Sequence, residues 1–330
     1  MLPRKPRRDP VISNDEELFQ PAWNFLGMPA DRADPQQARA WVLPIPYEAT
    51  TSYGAGTRDG PAAILAASRQ VEQYDREFGC EPAMRVGVHT MAALWPVVRS
   101  PEAMVDAIER AVHGILLGRP RPELLAVLGG EHSISAGVTR GLARATAADD
   151  LVAVQIDAHA DLREEYEGSR NSHACAAKRI LEVCPVFQIG IRNISEGEER
   201  FRRTCRRLHT VFSEEANGRP KFLDDLARFV RGKRVYLTID LDGLDPSIMP
   251  AVGTPEPGGL SWERVLDVAR MVCREAAGVP VFDVVELAPV PGLRSPDFLA
   301  ARLVLKIIAL ALLGPKRRTA AAARGKRKGT

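Results

Sequence analysis

Short runs of β-branched and other apolar residues recur along this chain, separated by segments long enough to form amphipathic helices. Continuous apolar runs are typical of strands buried on both faces, and their alternation with helices predicts a parallel sheet covered on both sides. We therefore expect an α/β fold, with a three-layer α/β/α arrangement around a central, mainly parallel eight-stranded sheet. The predicted strands cover residues 42–47, 84–89, 124–128, 152–156, 186–191, 208–212, 235–239 and 281–285. The predicted helices cover residues 62–78, 101–117, 135–147, 173–183, 221–231 and 261–275.

Charge is distributed unevenly along the 330 residues. The formal net charge is +3, but residues 1–10 carry +3 and residues 316–330 carry +7, which leaves −7 on the residues between them. A negative body favours cationic ligands and metal ions over nucleic acid, so nucleic acid is not an expected partner. The basic ends lack apolar periodicity. We expect disordered basic tails at residues 1–15 and 315–330 and a single folded domain at residues 16–314.

The cysteines and the apolar segments indicate a cytoplasmic protein. The five cysteines are widely spread and form no C-x-x-C pair, which favours reduced thiols in the cytoplasm. No apolar segment follows the N-terminal cations, so no secretory signal is predicted. Residues 298–313 are strongly apolar but are interrupted by Arg302 and Lys306, and we expect a buried helix there and no membrane span.

Three predicted strands end in clusters of histidine and aspartate. In Leu-Gly-Gly-Glu-His-Ser, residues 128–133, two glycines permit a tight turn that presents His132. In Asp-Ala-His-Ala-Asp, residues 157–161, the acid, imidazole and acid alternate, so an extended chain directs all three to one side. Burying these groups together without a cation would be costly, because of desolvation and like-charge repulsion.

The third cluster, Asp-Leu-Asp-Gly-Leu-Asp-Pro at residues 240–246, again follows an apolar strand and places two carboxylates on one side. Asp245 is expected to orient the turn before Pro246 instead of binding a metal. Together the clusters supply two imidazoles and four carboxylates, more than one catalytic zinc site uses, and two manganese-like ions sharing carboxylates fit the set best. The six candidate ligands are His132, Asp157, His159, Asp161, Asp240 and Asp242.

These three motifs, in this order, resemble the metal-binding motifs of the arginase and agmatinase group, the ureohydrolases, and the resemblance extends over about residues 40–314. It implies an arginase/deacetylase-like fold, two Mn²⁺ per chain, and a homo-oligomer, either a trimer or a hexamer. It also implies that Asp157 and Asp240 bridge the ions, that His132 and Asp161 complete one ligand shell, and that His159 and Asp242 complete the other. Glu131 departs from the aspartate of many members, but it is not an expected ligand.

The resemblance also implies catalytic roles outside the metal ligands. Glu286, in Asp-Val-Val-Glu-Leu-Ala-Pro, resembles the glutamate that pairs with the substrate guanidinium, and His173 resembles the proton-transfer histidine. A structural ion pair for Glu286 and a capping role for His173 remain the alternatives. In the implied mechanism the two ions acidify a bridging water, Asp161 orients it, Glu286 holds the guanidinium and His173 helps to protonate the departing amine.

The expected substrate is a small cationic guanidino compound. Residues 44–61 resemble the N-terminal segment of agmatinases, and Arg163 replaces an asparagine that helps arginases hold the amino-acid carboxylate. Agmatine, cleaved to putrescine and urea in polyamine biosynthesis, is therefore the leading prediction. Guanidinobutyrate, aminopropylagmatine and arginine stay open. A non-catalytic scaffold of the same fold is disfavoured because no ligand is lost, and a deacetylase because such sites use one zinc with fewer carboxylates.

Overall fold

The computed structural model describes residues 23–315 with the exception of residues 147, 219 and 220. The basic tails that the sequence predicts at residues 1–15 and 315–330 fall outside this part of the chain, except for Pro315.

A sheet of eight strands, all parallel, forms the middle layer, with the strand order β2-β1-β3-β8-β7-β4-β5-β6. The predicted three-layer α/β/α fold with a parallel eight-stranded sheet is confirmed. The strands are β1 (Ala40–Ile45), β2 (Val88–Thr90), β3 (Leu124–Gly129), β4 (Leu151–Ile156), β5 (Val186–Ile191), β6 (Leu208–Phe212), β7 (Arg234–Asp240) and β8 (Gly278–Val285).

Helices cover both faces of the sheet. Each of the two hydrophobic cores lies between one face of the sheet and its helices, with α4, α5 and α6 on one side and α2, α9, α10 and α11 on the other. The helices are α1 (Ala30–Ala33), α2 (Gly60–Ser68), α3 (Pro82–Val86), α4 (Pro101–Leu117), α5 (Ile134–Ala145), α6 (Ala176–Val183), α7 (Glu196–Thr204), α8 (Ser213–Asn217), α9 (Phe222–Val230), α10 (Trp262–Glu275) and α11 (Ser295–Leu313). The predicted buried helix near the C-terminal end is α11, and among the described residues no helix is long and apolar enough to cross a membrane.

Two predicted elements have the wrong extent. Residues 84–86 were predicted as strand but lie in α3, because Pro82 occupies its first turn and Gly87 ends it with a positive φ of 70°. A side chain at Gly87 would bring its Cβ within 2.9 Å of Ala38 Cα, so only glycine permits this approach to the segment that precedes β1.

The helix predicted at residues 62–78 ends at Ser68, whose hydroxyl accepts the Leu26 N–H and donates to Leu65 O, both at 2.8 Å. The following segment folds back onto α11 instead of continuing the helix. There the Lys306 ammonium contacts the Asp75 carboxylate at 2.8 Å and Glu77 at 2.7 Å, and Lys306 and Asp75 are both buried.

Replacing Lys306 with methionine should lower the free energy of unfolding by about 3 kcal/mol, because it leaves the buried Asp75 carboxylate without its cation. Chemical denaturation measures the effect. Lys221→Met, the same change at an exposed lysine, is the control and should cost under about 0.5 kcal/mol. Adding Asp75→Asn to Lys306→Met should recover part of the loss. Equal losses for the two lysine variants would contradict the structural role of this ion pair.

Candidate metal centre

The carboxyl ends of four adjacent central strands, β3, β8, β7 and β4, deliver the predicted site residues to one place. His132 follows β3, Glu286 follows β8, Asp240 ends β7 and Asp157 follows β4. Ile156 pairs with Ile239, and Asp240 pairs with Val285, so the ligand-bearing positions of neighbouring strands lie side by side. The parallel sheet thus brings three sequence motifs, spread over more than a hundred residues, into one cluster.

His132 is the centre of one group of candidate ligands. Its Nδ1 lies 3.2 Å from Asp157 Oδ2, 3.1 Å from Asp161 Oδ2 and 3.2 Å from Asp240 Oδ2. Despite these distances, this buried nitrogen has no hydrogen bond of good geometry. On the other side of the ring, Nε2 lies 3.0 Å from Thr238 Oγ1, and a proton placed there leaves the Nδ1 lone pair directed at the three carboxylates.

His159 belongs to a second group. Its Nδ1 lies 2.8 Å from Asp242 Oδ2 and 3.9 Å from Asp157 Oδ1. Ligand atoms of Asp157, His159 and Asp242 all lie within 4.8 Å of one another, as do those of His132, Asp157 and Asp240. Asp157 is shared by the two groups, so all six predicted ligands are brought together. The bridging roles of Asp157 and Asp240 stay predictions.

The electrostatics of these groups fit a pair of divalent cations. Burial and the charges of Asp161 and Asp242 raise the pKa of Asp157 to about 7. Burial opposes protonation of His159, but the carboxylates of Asp242 and Asp157 raise its pKa to about 10. The cluster therefore attracts positive charge strongly, and protons and metal ions compete for the same atoms. Carboxylates with imidazoles suit manganese-like ions.

Two of the residues that converge here have a left-handed backbone. Asp161 has a φ of 51° and Glu286 has a φ of 65°, in a region of backbone conformation that residues other than glycine seldom occupy. Strain of this kind persists where surrounding contacts fix the residue, as they do for Glu286. Its backbone N–H donates to Gly130 O at 2.8 Å, and its Oε1 accepts the backbone N–H of His132 at 2.6 Å.

A row of polar side chains crosses the sheet one layer below the ligands. The register pairs Thr210 with Gln188, Gln188 with Gln155, Gln155 with Thr238, and Thr238 with Asp283. Gln155 and Thr238 stand two positions before Asp157 and Asp240, on the same face of their strands. The sheet therefore places a hydrogen-bonding residue behind each of these two carboxylates.

The row forms a directed chain of hydrogen bonds that ends at Asp157. Thr210 Oγ1 donates to Gln188 Oε1 at 3.2 Å, Gln188 Nε2 donates to Gln155 Oε1 at 3.0 Å, and Gln155 Nε2 donates to Asp157 Oδ2 at 2.6 Å. Since both glutamines are fully buried, each amide orientation is fixed by its partners. The Asp157 carboxylate is therefore held in one orientation.

Loops behind the ligands are braced by two further residues. Asp245 accepts the N–H groups of Ser247, Gly258 and Gly259, which confirms its predicted role in the turn. Arg192, which the sequence analysis did not select, donates to Asp242 O at 2.7 Å and to Glu256 O at 2.7 Å.

Glu286 and His173 lie beside the candidate ligands. His173 Nδ1 is 3.3 Å from Glu286 Oε1, and its Nε2 is 3.3 Å from Ser52 Oγ. A cavity of about 200 Å³ opens over them. Its lining includes Ser52, His159, Asp161, Arg163, Tyr166, His173, Asn193, Asp240, Asp242, Thr254 and Glu286.

Sequence reasoning missed Thr50, Ser52, Gln155 and Arg192 as parts of this site. For Gln155 a signal was present, because an amide interrupts an apolar strand two positions before a candidate ligand. Thr50 and Ser52 carry no local signal, since their partners lie more than 80 residues away.

Comparison with known proteins gives consistent matches. The model of the Arginase family matches residues 38–310. The N(1)-aminopropylagmatine ureohydrolase of Synechocystis sp. is 39% identical over 269 residues, which cover 81% of this chain and 87% of that protein. The agmatinase of Pyrococcus horikoshii is 31% identical over 87% of this chain and 97% of its own length. The crystal structure of agmatine ureohydrolase of Thermoplasma volcanium superposes with a TM-score of 0.75 at 29% identity, covering 88% and 94% of the two chains.

Binding of Mn²⁺ to the metal-free protein at pH 7 should release about one proton or more per chain, because His159, with a pKa of about 10, must lose its proton to act as a ligand. Calorimetric titrations in buffers of different ionisation enthalpy measure this number. The apparent affinity should rise from pH 6 to pH 8 as protons compete less. A binding enthalpy that is independent of the buffer would contradict this account of the cluster.

Replacing Gln155 with methionine should weaken Mn²⁺ binding about 10- to 100-fold, because Asp157 loses the donor that fixes its orientation. Equilibrium dialysis against buffered Mn²⁺ gives the affinity, and circular dichroism checks the fold. Gln70→Met, at an exposed glutamine in the turn after α2, is the matched control. An unchanged affinity for Gln155→Met would show that the hydrogen-bond chain does not orient Asp157.

Proposed function

The chain belongs to the arginase family, and from that premise we propose that it hydrolyses N(1)-aminopropylagmatine to urea and a polyamine. The type of reaction is that of the family: the chain is a ureohydrolase, a hydrolase that acts on guanidino compounds. Agmatine, the leading prediction from the sequence, is the second candidate, because relatives named agmatinase are also similar over most of the chain.

One observation carries the proposed reaction. Glu286, His173 and four of the candidate cation ligands line a single cavity of about 200 Å³; the four ligands are His159, Asp161, Asp240 and Asp242. A guanidinium held in this cavity would meet several carboxylates beside a group able to move a proton. That combination suits attack on a planar cation followed by departure of an amine.

We assign each residue a role in that reaction. Bound divalent cations supply an acidified water molecule and positive charge at the point of attack. Asp161 belongs to the first ligand group and also lines the cavity, so it can accept a hydrogen bond from the attacking water. The Glu286 carboxylate provides paired acceptors for the guanidinium N–H groups.

His173 is the proposed proton donor to the leaving amine nitrogen. Burial lowers its pKa, but the adjacent Glu286 carboxylate raises it further, to about 9. In the metal-free protein the imidazole therefore carries a proton at neutral pH, and its side chain lines the cavity. When the guanidinium carbon–nitrogen bond breaks, this proton neutralises the departing amine.

The substrate assignment rests on similarity and on the residues at the mouth of the cavity. The relative named for aminopropylagmatine is 39% identical, whereas the relative named agmatinase is 31% identical. Arg163, in the place of the arginase asparagine, has its guanidinium 4.8 Å from the centre of the Tyr166 ring at the mouth. This stacking engages the side chain that would otherwise pair with an amino-acid carboxylate, which disfavours arginine.

The proposal also includes the wider properties expected from the sequence. We propose two Mn²⁺ per chain as cofactors, a role in polyamine biosynthesis in the cytoplasm, and a homo-oligomeric trimer or hexamer. Residues 16–314 are proposed to form a single catalytic domain. The partner in catalysis is a small cationic guanidino compound, and no contribution of nucleic acid to the reaction is proposed.

A urea-release assay with added Mn²⁺ tests the function. The value of kcat/KM for aminopropylagmatine should exceed that for agmatine by about tenfold or more, because a site built for an additional polar group discriminates against substrates that lack it. Arginine, guanidinobutyrate and guanidinopropionate should release little urea. A preference for agmatine would favour the second candidate, and activity on arginine or guanidinobutyrate would overturn the substrate assignment. No urea from any compound would contradict the proposed catalysis.

A further inference from the structure

Glu131 is a fully buried carboxylate next to the candidate ligand His132, but it lies outside both ligand groups. Its backbone N–H donates to Tyr47 O at 2.9 Å, so the segment that leaves β1 crosses the turn after β3. A side chain at Gly130 would place its Cβ 1.9 Å from Tyr47 O, and only glycine permits this crossing. The Glu131 side chain thus reaches into the loop that follows β1.

Four donors occupy the Glu131 carboxylate. Its Oε2 accepts the N–H groups of Ala49 and Thr50, both at 2.6 Å. Its Oε1 accepts the hydroxyl of Thr50 at 2.6 Å and that of Ser133 at 2.5 Å. A carboxylate offers about four acceptor sites, so the contacts fill this one, and its role is to hold the loop.

Thr50 passes this constraint to His173. The Thr50 hydroxyl donates its proton to Glu131, so its oxygen is free to accept a hydrogen bond. It accepts the backbone N–H of His173 at 2.9 Å. Ser52, in the same loop, lies 3.3 Å from His173 Nε2, and Glu286 lies 3.3 Å from Nδ1. The loop therefore contacts His173 at its backbone and at the ring nitrogen opposite Glu286.

We propose that Glu131 is a positioning residue that acts through Thr50 to hold His173 where it can donate a proton, an inference that rests on the proposed role of His173. The length of the side chain matters as well as its charge. Aspartate would withdraw the carboxylate by one methylene and could not keep all four contacts. In this chain the glutamate and the loop around it form one unit.

Three variants test the proposal in the Mn²⁺-loaded enzyme: Glu131→Gln, Glu131→Asp and Thr50→Val. Each should lower kcat about 10- to 100-fold with less than about a threefold change in KM, because a misplaced proton donor slows the chemical step. Bound Mn²⁺, measured by elemental analysis, should stay unchanged, since Glu131 lies outside the ligand groups. Loss of bound Mn²⁺ along with kcat would overturn a role limited to His173.

A double-mutant cycle with His173→Asn separates this inference from the proposed function. In the His173→Asn background, Glu131→Gln should change kcat by less than about threefold, because the group that it positions is already gone. If the two losses multiply instead, Glu131 acts elsewhere and the inference is wrong. If His173→Asn alone leaves kcat unchanged, the proposed proton donor is wrong, and the positioning role falls with it.

Glu48→Gln is the matched control. Its side chain is also nearly buried, and it holds another part of the same loop by accepting the N–H groups of Gly56 and Arg58 at 2.9–3.1 Å. It makes no described contact with His173 or Thr50. Glu48→Gln and Glu131→Gln should both lower the melting temperature, yet the effect of Glu48→Gln on kcat should be under about threefold. Equal losses of kcat in the two variants would point to general loosening of the loop and would overturn the proposal.

Discussion

Negative charge concentrated at the buried carboxyl edge of the sheet is the constraint on which the rest of this structure depends. Four carboxylates and two imidazoles meet at the carboxyl ends of β3, β7 and β4, and all but His159 are almost fully excluded from water. Such a cluster is destabilised by desolvation and by mutual repulsion unless cations or protons neutralise it. Divalent cations would neutralise the carboxylates with the fewest bound ions, and they would supply Lewis acidity at the same place. The cluster that is costly for the fold is therefore the cluster that the chemistry requires.

The sheet meets this requirement through its two-residue side-chain period. Gln155 and Thr238, two positions before Asp157 and Asp240, project from the same face as those ligands, and the register aligns them with Gln188 and Asp283 in the neighbouring strands. The resulting polar row interrupts an otherwise apolar interior, where each amide and hydroxyl must find a partner. Each buried group finds its partner either in a neighbouring member of the row or in a ligand. The same hydrogen bonds therefore satisfy the buried groups and orient the ligands. The rigid strands thus preorganise the site before any cation or substrate binds.

The strands and the candidate ligands could be predicted from the sequence because both are marked by local patterns of residues. The motifs containing His132, Asp157 and Asp240 lie at strand ends, and parallel pairing brings those ends together without further information. The helix predicted through residue 78 failed after Ser68, where tertiary contacts override the local pattern. The strand predicted at residues 84–86 failed for a local reason, since Pro82 and Gly87 delimit a short helix there. The prediction also missed α7, although Ser195 and Glu198 form a capping box that the sequence displays. The contacts of Thr50 with Glu131 and His173 span 81 and 123 residues, and no local pattern encodes such pairs.

The centre and the mouth of the cavity are built from different kinds of structure. The residues expected to carry the reaction therefore differ in their support from the residues expected to select the substrate. The candidate cation ligands stand on or directly after strands whose register fixes them, whereas Ser52, Arg163 and Tyr166 at the mouth belong to loops. Loops tolerate substitution far better than the interior of a parallel sheet. One scaffold can therefore keep its reaction while its loops adapt to different amines. His173, the proposed proton donor, lines the cavity beside Glu286 but is contacted by a loop. In our proposal the buried carboxylate of Glu131 gives that loop the rigidity that a strand would otherwise provide.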